Sequence, residues 1–137
     1  MARHVVYLAL GSNLGDRHGN LRHAVDEIEK LIGTVLRQSA FYETEPWGFV
    51  SDNVFTNAAV CVETTLSPRQ LLVTTQSIER CMGRKVKSTD GHYHDRIIDI
   101  DILLYDDVHM DEPDLKIPHP LMHERPFVME PLREIMP

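Results

Sequence analysis

The stretch RIIDIDILLYDD, residues 96–107, decides the fold because its pattern predicts a β-strand with two unlike faces. Apolar side chains recur there at every second residue, as in a strand with one face on a core: Ile98, Ile100, Ile102 and Leu104. The other face begins with Asp99 and Asp101. Aspartate is uncommon in strands, and like charges on one face repel each other. The stretch therefore predicts an ordinary strand that carries an unusual pair of carboxylates.

Outward from this stretch, the hydrophobic pattern predicts three further strands and two helices. The strands are expected at 5–10, 34–44 and 54–64, and a turn at 11–13 follows the first of them. One helix is expected at 17–32, with Gly33 as its C-cap glycine. The other begins with a capping box of Ser67 and Gln70 and ends at Gly83. The proline-rich tail leaves room only for short helices, around 125–135.

The order of these elements is β-α-β-β-α-β, which predicts an α+β, ferredoxin-like fold. Its sheet is expected to be mainly antiparallel, with both helices packed on one face and the other face available for a site. The chain has 137 residues without repeats or linker-like segments, so a single domain spanning 1–137 is expected.

Composition narrows the class of function. The net charge of −7 argues against a broad nucleic-acid surface, which needs clustered positive charge. No apolar run approaches the roughly 20 residues of a membrane span, and no signal peptide is evident. Cys61 and Cys81 lack metal-type spacing and are interpreted as reduced core thiols. A cytoplasmic protein that works as a monomer is expected.

The two aspartates have a functional and a structural interpretation. Residues i and i+2 of a strand lie roughly 6.5–7 Å apart on one face, and a cation between two carboxylates relieves their repulsion. Mg²⁺ is typically held by one or two carboxylates together with water and substrate phosphates. Arg84 and Arg96 flank a polar loop next to the pair and supply cations for phosphate. A solvent-facing charged pair on an exposed sheet face is the alternative.

At the level of motifs, the chain resembles the 6-hydroxymethyl-7,8-dihydropterin pyrophosphokinases of folate synthesis. The similarity extends over nearly the whole sequence and is carried by blocks in the order of the family: GSNLGD at 11–16, FYETEPWG at 41–48, NAAV at 57–60, RIIDIDILLY at 96–105 and IPHPLMHERPFVMEPL at 117–132. The combination of R-x-x-D-x-D-I with a later P-H-P-x-M-x-x-R-x-F is specific, whereas GSN alone is weak.

The resemblance implies that ATP donates its β,γ-pyrophosphoryl group to the pterin hydroxymethyl oxygen and that AMP is released. It implies a ferredoxin-like fold and two Mg²⁺ bound by Asp99 and Asp101. Arg84 and Arg96 are implied to hold phosphate oxygens during the transfer. The residues implied to line the ATP site, with these two arginines, are Gln76, Glu79, Tyr93, Ile102, His119 and Arg125.

For the pterin, the resemblance implies that Asn57 binds the amide edge of the ring, since a carboxamide offers a donor and an acceptor. Phe55 and Phe127 match the two aromatic residues that stack on the ring. Thr44 and the backbone near Trp47 are implied as further polar contacts. Asp99, as a metal ligand, is expected to border the same pocket.

Two other functions stay open from the residues. A nucleotidyltransferase also uses strand carboxylates and two metals, but it transfers AMP and releases pyrophosphate. A non-catalytic ferredoxin-like module that binds a small ligand would explain the fold and the pocket but not the arrangement of the arginine and the two aspartates. The eight histidines, among them His92 and His94, also permit a zinc site, although their spacing is looser than that of usual structural sites.

Overall fold

The computed structural model describes residues 2–44, 54–83 and 97–136. The five-stranded sheet contains β1 (His4–Ser12), β2 (Gly33–Gln38), β3 (Tyr42–Thr44), β4 (Phe55–Thr64) and β5 (Asp99–Tyr105). The strand order is β2-β4-β1-β5, and β3 pairs with β4 beyond the end of β2. All of these pairings are antiparallel, which confirms the ferredoxin-like α+β expectation.

Two helices pack on one face of the sheet, as predicted. They are α1 (Arg17–Leu31) and α2 (Pro68–Cys81), and their buried side chains share one core with the inward residues of β1, β4 and β5. The capping box at the start of α2 is present, and Gly83 follows the helix at φ +108°, where glycine is favoured. Within the described residues, no helix is both long and apolar enough to traverse a bilayer.

The opposite face is not helix-free. The third helix, α3 (Pro126–Ile135), lies at the predicted place in the tail and packs on this face. Val128, Leu132 and Ile135 form a second core there with Ala59 and Cys61 of β4. The helix covers part of the face, so the space left for a site lies toward β5 and the ends of β1 and β4. The sequence pattern predicted that Asp99 and Asp101 lie on the face opposite α1 and α2, as observed, but it did not predict that α3 packs on that face.

Several local predictions were wrong. The predicted strand 34–44 is two strands, because the Ala40 amide donates to Glu134 Oε2 of α3 at 2.8 Å instead of continuing a ladder. Gly33 is no C-cap residue: it begins β2, where a Cβ would lie 1.9 Å from the Glu63 carbonyl oxygen. Cys81, expected in the core, is exposed.

The strand β5 carries an irregularity that the alternating pattern does not reveal. Leu8 pairs with Ile102 and Tyr7 pairs with Leu104, so Leu103 is an extra residue in the register. Beyond this bulge Tyr105, not Leu104, joins the core under α1 and α2. The alternation that orients Asp99 and Asp101 lies before the bulge and is undisturbed.

The tail contains a small hairpin that was not predicted. Strands β6 (Met110–Glu112) and β7 (Leu115–Ile117) pair antiparallel around Pro113. Leu115 and Ile117 are buried against the first core. Arg69 of α2 donates to Asp114 at 2.7 Å and to Glu112, which fixes the hairpin beside the helix. A short 3₁₀ helix, Met122–Glu124, leads into α3.

Candidate active site

A cleft of about 300 Å³ opens between α2, the outer edge of β5 and the β6–β7 hairpin. It brings together six of the residues that the sequence assigned to metal or ATP: Gln76, Glu79, Asp99, Asp101, Ile102 and His119. These side chains come from three separate parts of the chain. Their convergence on one cleft is what a binding site for a nucleotide-sized ligand requires.

Asp99 and Asp101 lie at the start of β5, on the face that α3 also contacts. The alternation with Ile100 and Ile102, which belong to the core under α1 and α2, puts the two aspartates on the opposite side of the sheet. Both are partly exposed and line the cleft. Two partly exposed carboxylates are oxygen donors of the kind that Mg²⁺ prefers.

The donor set therefore fits Mg²⁺. Within 2–44, 54–83 and 97–136, no cluster of three or more His, Cys, Asp or Glu side chains offers a complete protein-lined metal cage. Mg²⁺ does not need such a cage, because it usually keeps waters and takes substrate phosphates as ligands beside one or two carboxylates.

A row of paired residues connects Asp99 to the predicted pterin contacts. Across the sheet, Asp99 pairs with Gly11 of β1, Gly11 pairs with Asn57 of β4, and Asn57 pairs with Tyr42 of β3. Directly paired residues of antiparallel strands point to the same face. Asn57 and Asp99 thus share one face of the sheet, with Gly11 between them.

Gly11 leaves space at the centre of this row. A Cβ at this position would lie 3.1 Å from Asn57 Oδ1 and 3.7 Å from the nearest ring carbon of Phe55. Gly11 belongs to the last part of β1, not to the turn that was expected at 11–13. The glycine therefore provides a flat floor beside a carboxamide and an aromatic ring, which suits a planar heterocycle.

Thr44 pairs with Phe55 in the next row, at the end of β3. At the other side of this region, Arg17 Nη1 donates to the Val54 carbonyl at 2.9 Å, and Arg17 Nη2 lies 3.5 Å from Glu43 Oε1. One arginine thus joins the residue before Phe55 to the residue before Thr44. Sequence reasoning missed Arg17, since nothing in its local pattern indicates a partner 37 residues away.

His119 is held at the wall of the cleft in a defined orientation. Its backbone amide donates to the Leu103 carbonyl at 3.0 Å, and the Leu121 amide donates to its Nδ1 at 3.3 Å. Burial lowers the pKa of His119, and the charge of Asp99 only partly opposes this effect. The neutral ring then carries its proton on Nε2, which can donate to a phosphate oxygen.

Arg125 and Phe127 lie at the start of α3 and do not line the cleft. Arg125 is buried, and burial lowers its pKa. Its guanidinium carbon lies 5.9 Å from the centre of the Phe127 ring, at the outer range of a cation–π contact. Phe127 is half-buried against the second core. The structure places these two residues next to each other, and their contacts with ATP and pterin stay predictions.

Four predicted site residues lie outside the described residues: Trp47, Arg84, Tyr93 and Arg96. The same holds for His92 and His94 of the zinc alternative. The structure adds cleft residues that the sequence analysis did not select: Leu72, Thr75, Pro113, Asp114, Leu115 and Lys116. They come from α2 and from the unpredicted hairpin, so finding them required knowing that the hairpin folds against α2.

The comparisons with known proteins identify the family of this chain. Residues 7–137 match the protein family described as 7,8-dihydro-6-hydroxymethylpterin-pyrophosphokinase (HPPK). A 2-amino-4-hydroxy-6-hydroxymethyldihydropteridine pyrophosphokinase of Porphyromonas gingivalis is 50% identical over 134 residues, covering 97% of this chain and 91% of that protein. The enzyme of the same name from Bacillus subtilis is 42% identical over 132 residues, covering 96% and 77%.

Solved structures share the fold. A crystal structure of an HPPK-DHPS in complex with substrates aligns with a TM-score of 0.75 over 99% of this chain at 17% identity. Wild-type HPPK-DHPS of Plasmodium falciparum with SDX-DHP aligns with a TM-score of 0.72 over 93% of this chain at 15% identity. The chain spans 40% of the length of each of these two proteins. At these identities, the likeness concerns the fold alone.

Proposed function

This chain belongs to the 7,8-dihydro-6-hydroxymethylpterin-pyrophosphokinase family, and from that premise we propose how its residues divide the reaction. It is an ATP-dependent pyrophosphokinase of folate synthesis. We propose that it transfers the β,γ-pyrophosphoryl group of ATP to 6-hydroxymethyl-7,8-dihydropterin and releases AMP. Two Mg²⁺ ions are held by Asp99 and Asp101.

One observation carries this proposal: the row Asp99–Gly11–Asn57 joins the nucleotide cleft to the predicted pterin contacts. A pterin that contacts Asn57 and Phe55 has the metal-binding carboxylate as a close neighbour on the same face. Two substrates bound side by side in this way need no covalent enzyme intermediate, because positioning and charge neutralisation suffice for phosphoryl transfer.

The balanced reaction is a direct displacement at the β-phosphorus of ATP. The hydroxymethyl oxygen forms a bond to that phosphorus, and the bond from the phosphorus to the α,β-bridging oxygen breaks. The electron pair of this bond leaves with AMP, and the hydroxyl proton is released. When bound, Mg²⁺ supplies charge neutralisation on the phosphate oxygens.

The protein side chains contribute orientation and charge. Asn57 orients the pterin through its carboxamide, and Phe55 and Phe127 stack on the ring. His119 donates from Nε2 to a phosphate oxygen, and Gln76, Glu79, Ile102, Tyr93 and Arg125 line the ATP site. Arg84 and Arg96 hold phosphate oxygens, and Thr44 and the backbone near Trp47 complete the pterin pocket. A monomeric state, a cytoplasmic location and a single domain spanning 1–137 stay predictions.

The test is to identify the nucleotide product. The protein is mixed with ATP, Mg²⁺ and reduced 6-hydroxymethylpterin, with omission of each component as a control. We expect AMP to form only when pterin is present and in equal amount to pterin diphosphate. ADP would indicate an ordinary kinase, and pyrophosphate with an adenylated pterin would indicate a nucleotidyltransferase. If the folded protein turns over no nucleotide, the alternative of a non-catalytic binding module is favoured.

A further inference from the structure

Glu79 is a buried carboxylate directly behind the aspartate pair. It lies on α2 and is only 4% exposed. Its Oε2 accepts a hydrogen bond from the backbone amide of Ile100 at 2.8 Å. Ile100 is the residue between Asp99 and Asp101. The carboxylate therefore holds the strand at the point from which both aspartates extend.

The position of β5 in the sheet explains why this bond matters. Among the residues that the structure describes, β5 is the last strand of the order β2-β4-β1-β5, with β1 on one side. An edge strand has amides that point away from the sheet and find no partner strand. The Ile100 amide is one of these, and Glu79 supplies its acceptor. This hydrogen bond to a buried side chain fixes the backbone at Ile100.

We infer that Glu79 is a positioning residue for the metal site, acting through the Ile100 amide on the directions of Asp99 and Asp101. The inference rests on the proposed role of the two aspartates as Mg²⁺ ligands. It assigns the Glu79 carboxylate a task beyond lining the nucleotide cleft. A buried carboxyl group is unfavourable unless it is hydrogen-bonded, and one bond of Glu79 is to the strand that carries the proposed ligands.

Two substitutions of Glu79 distinguish the effect of its hydrogen bond to Ile100 from the effect of its charge. Glu79→Gln keeps an acceptor oxygen and removes the charge, whereas Glu79→Ala removes both. Exchange of the Ile100 amide with solvent, measured by NMR without nucleotide or metal, reports the bond directly. Mn²⁺ binding in the presence of a non-hydrolysable ATP analogue reports the metal site without turnover.

We expect Glu79→Ala to speed exchange of the Ile100 amide and to weaken Mn²⁺ binding by about tenfold, as for loss of a group that orients a metal ligand. Pterin affinity is expected to fall less than Mn²⁺ affinity, because Asn57 and Phe55 lie on β4, away from the Ile100 amide. Glu79→Gln is expected to retain slow exchange and most of the Mn²⁺ affinity. Circular dichroism shows that the variants are folded.

The chain contains a matched control. Glu29 of α1 accepts the Val35 amide of β2 through its Oε2 at 2.6 Å, the same type of helix-to-strand bond at the other edge of the sheet. Glu29→Ala removes that bond far from the aspartates. It is expected to speed exchange at Val35 and to leave Mn²⁺ binding unchanged.

Three results would overturn the inference. In the first, Glu79→Ala leaves both Ile100 exchange and Mn²⁺ binding as in the wild type. In the second, Glu79→Gln weakens Mn²⁺ binding as far as Glu79→Ala while Ile100 stays protected, which would assign the effect to charge. In the third, the wild type binds no Mn²⁺ with the nucleotide analogue, and then the proposed metal site fails as well.

Discussion

At both outer edges of the sheet, a glutamate from the neighbouring helix accepts a backbone amide of the edge strand. Glu29 accepts from Val35 of β2, and Glu79 accepts from Ile100 of β5. The two bonds are chemically alike, but Glu29 is exposed whereas Glu79 is 4% exposed. The same type of bond therefore supports a strand without predicted site residues at β2 and the strand that carries the proposed metal ligands at β5.

The two strands differ in the side chains that they carry and in their distance from the cleft. β2 presents exposed side chains along most of its length and lies away from the cleft. β5 presents Asp99 and Asp101 at the end next to Glu79, and it borders the cleft. A backbone shift of about an ångström at β2 would move no predicted site residue, whereas the same shift at β5 would misplace both proposed metal ligands.

The largest loss of turnover is expected when one of the two proposed metal ligands, Asp99 or Asp101, is substituted. Asp99→Ala or Asp101→Ala is expected to lower turnover by orders of magnitude while the fold survives, because Mg²⁺ loses a carboxylate and the removed charge is partly exposed. Steady-state kinetics over a range of Mg²⁺ concentrations measures the effect.

The matched control for that prediction is Asp107→Ala, an exposed aspartate just beyond the end of β5. It changes the net charge by the same amount without touching the cleft, and turnover should stay near that of the wild type. Wild-type turnover in both Asp99→Ala and Asp101→Ala would remove the metal role from the β5 edge.

The next effect concerns the central strands. Asn57→Ala should weaken pterin binding by about tenfold or more, since a hydrogen-bonding carboxamide is lost, and it should leave ATP binding nearly unchanged. Calorimetry with each ligand separately measures both affinities. An unchanged pterin affinity would show that Asn57 does not bind the pterin, and the row Asp99–Gly11–Asn57 would then not connect the cleft to a pterin pocket.

Gly11, beside the predicted pterin contacts, and Gly33, at the start of β2, should respond differently to the same substitution. Gly11→Ala is expected to raise the KM for pterin several-fold with little loss of stability, because the new Cβ lies 3.1 Å from a side-chain oxygen of Asn57. Gly33→Ala at the start of β2 places a Cβ 1.9 Å from the Glu63 carbonyl oxygen. It should lower the free energy of unfolding by about 1–3 kcal/mol.

Thermal unfolding and pterin kinetics of both glycine variants check this pair. We expect Gly11→Ala to change the KM for pterin and Gly33→Ala to change the thermal stability. A stability loss at Gly11 as large as that at Gly33, with an unaltered KM, would show that the row is only a structural part of the sheet.

The smallest effect is expected at the far end of β5. Asp106 accepts hydrogen bonds from the Val5 amide at 2.7 Å and from His4 Nδ1 at 2.7 Å. Burial alone would raise its pKa, but these bonds outweigh burial and lower the pKa below the ordinary 3.8. The ionised carboxylate thus stabilises the fold above about pH 4, and this contribution is lost as the pH falls through the lowered pKa.

Asp106→Asn removes that contribution, so the variant should have a lower Tm than the wild type at pH 7. The difference should shrink as the pH is lowered from 4 toward 2, and Mn²⁺ binding should be unaffected at neutral pH. A difference in Tm that stays constant over this range would contradict the assigned cause.

Local signals predicted the parts of the fold that local sequence controls. The capping box of Ser67 and Gln70 begins α2 as expected, because both partners lie within one helical turn. The alternation at Ile98, Ile100 and Ile102 also predicted which face Asp99 and Asp101 share.

The parts that sequence reasoning missed depend on distant partners. The break before β3 comes from the bond between Ala40 and Glu134, which lie 94 positions apart. The bulge at Leu103 depends on the register with β1. For the site, convergence of Gln76, Asp99 and His119 follows from the fold, and the cleft residues of the β6–β7 hairpin had no local signal.

The most direct test of the central claim is the number of Mn²⁺ ions bound per protein molecule with a non-hydrolysable ATP analogue. Mn²⁺ replaces Mg²⁺ at oxygen-rich sites and can be counted by electron paramagnetic resonance. The account predicts two bound ions in the wild type and fewer in Asp99→Asn and Asp101→Asn. Two ions bound with undiminished affinity in both variants would show that the β5 edge does not hold the metals.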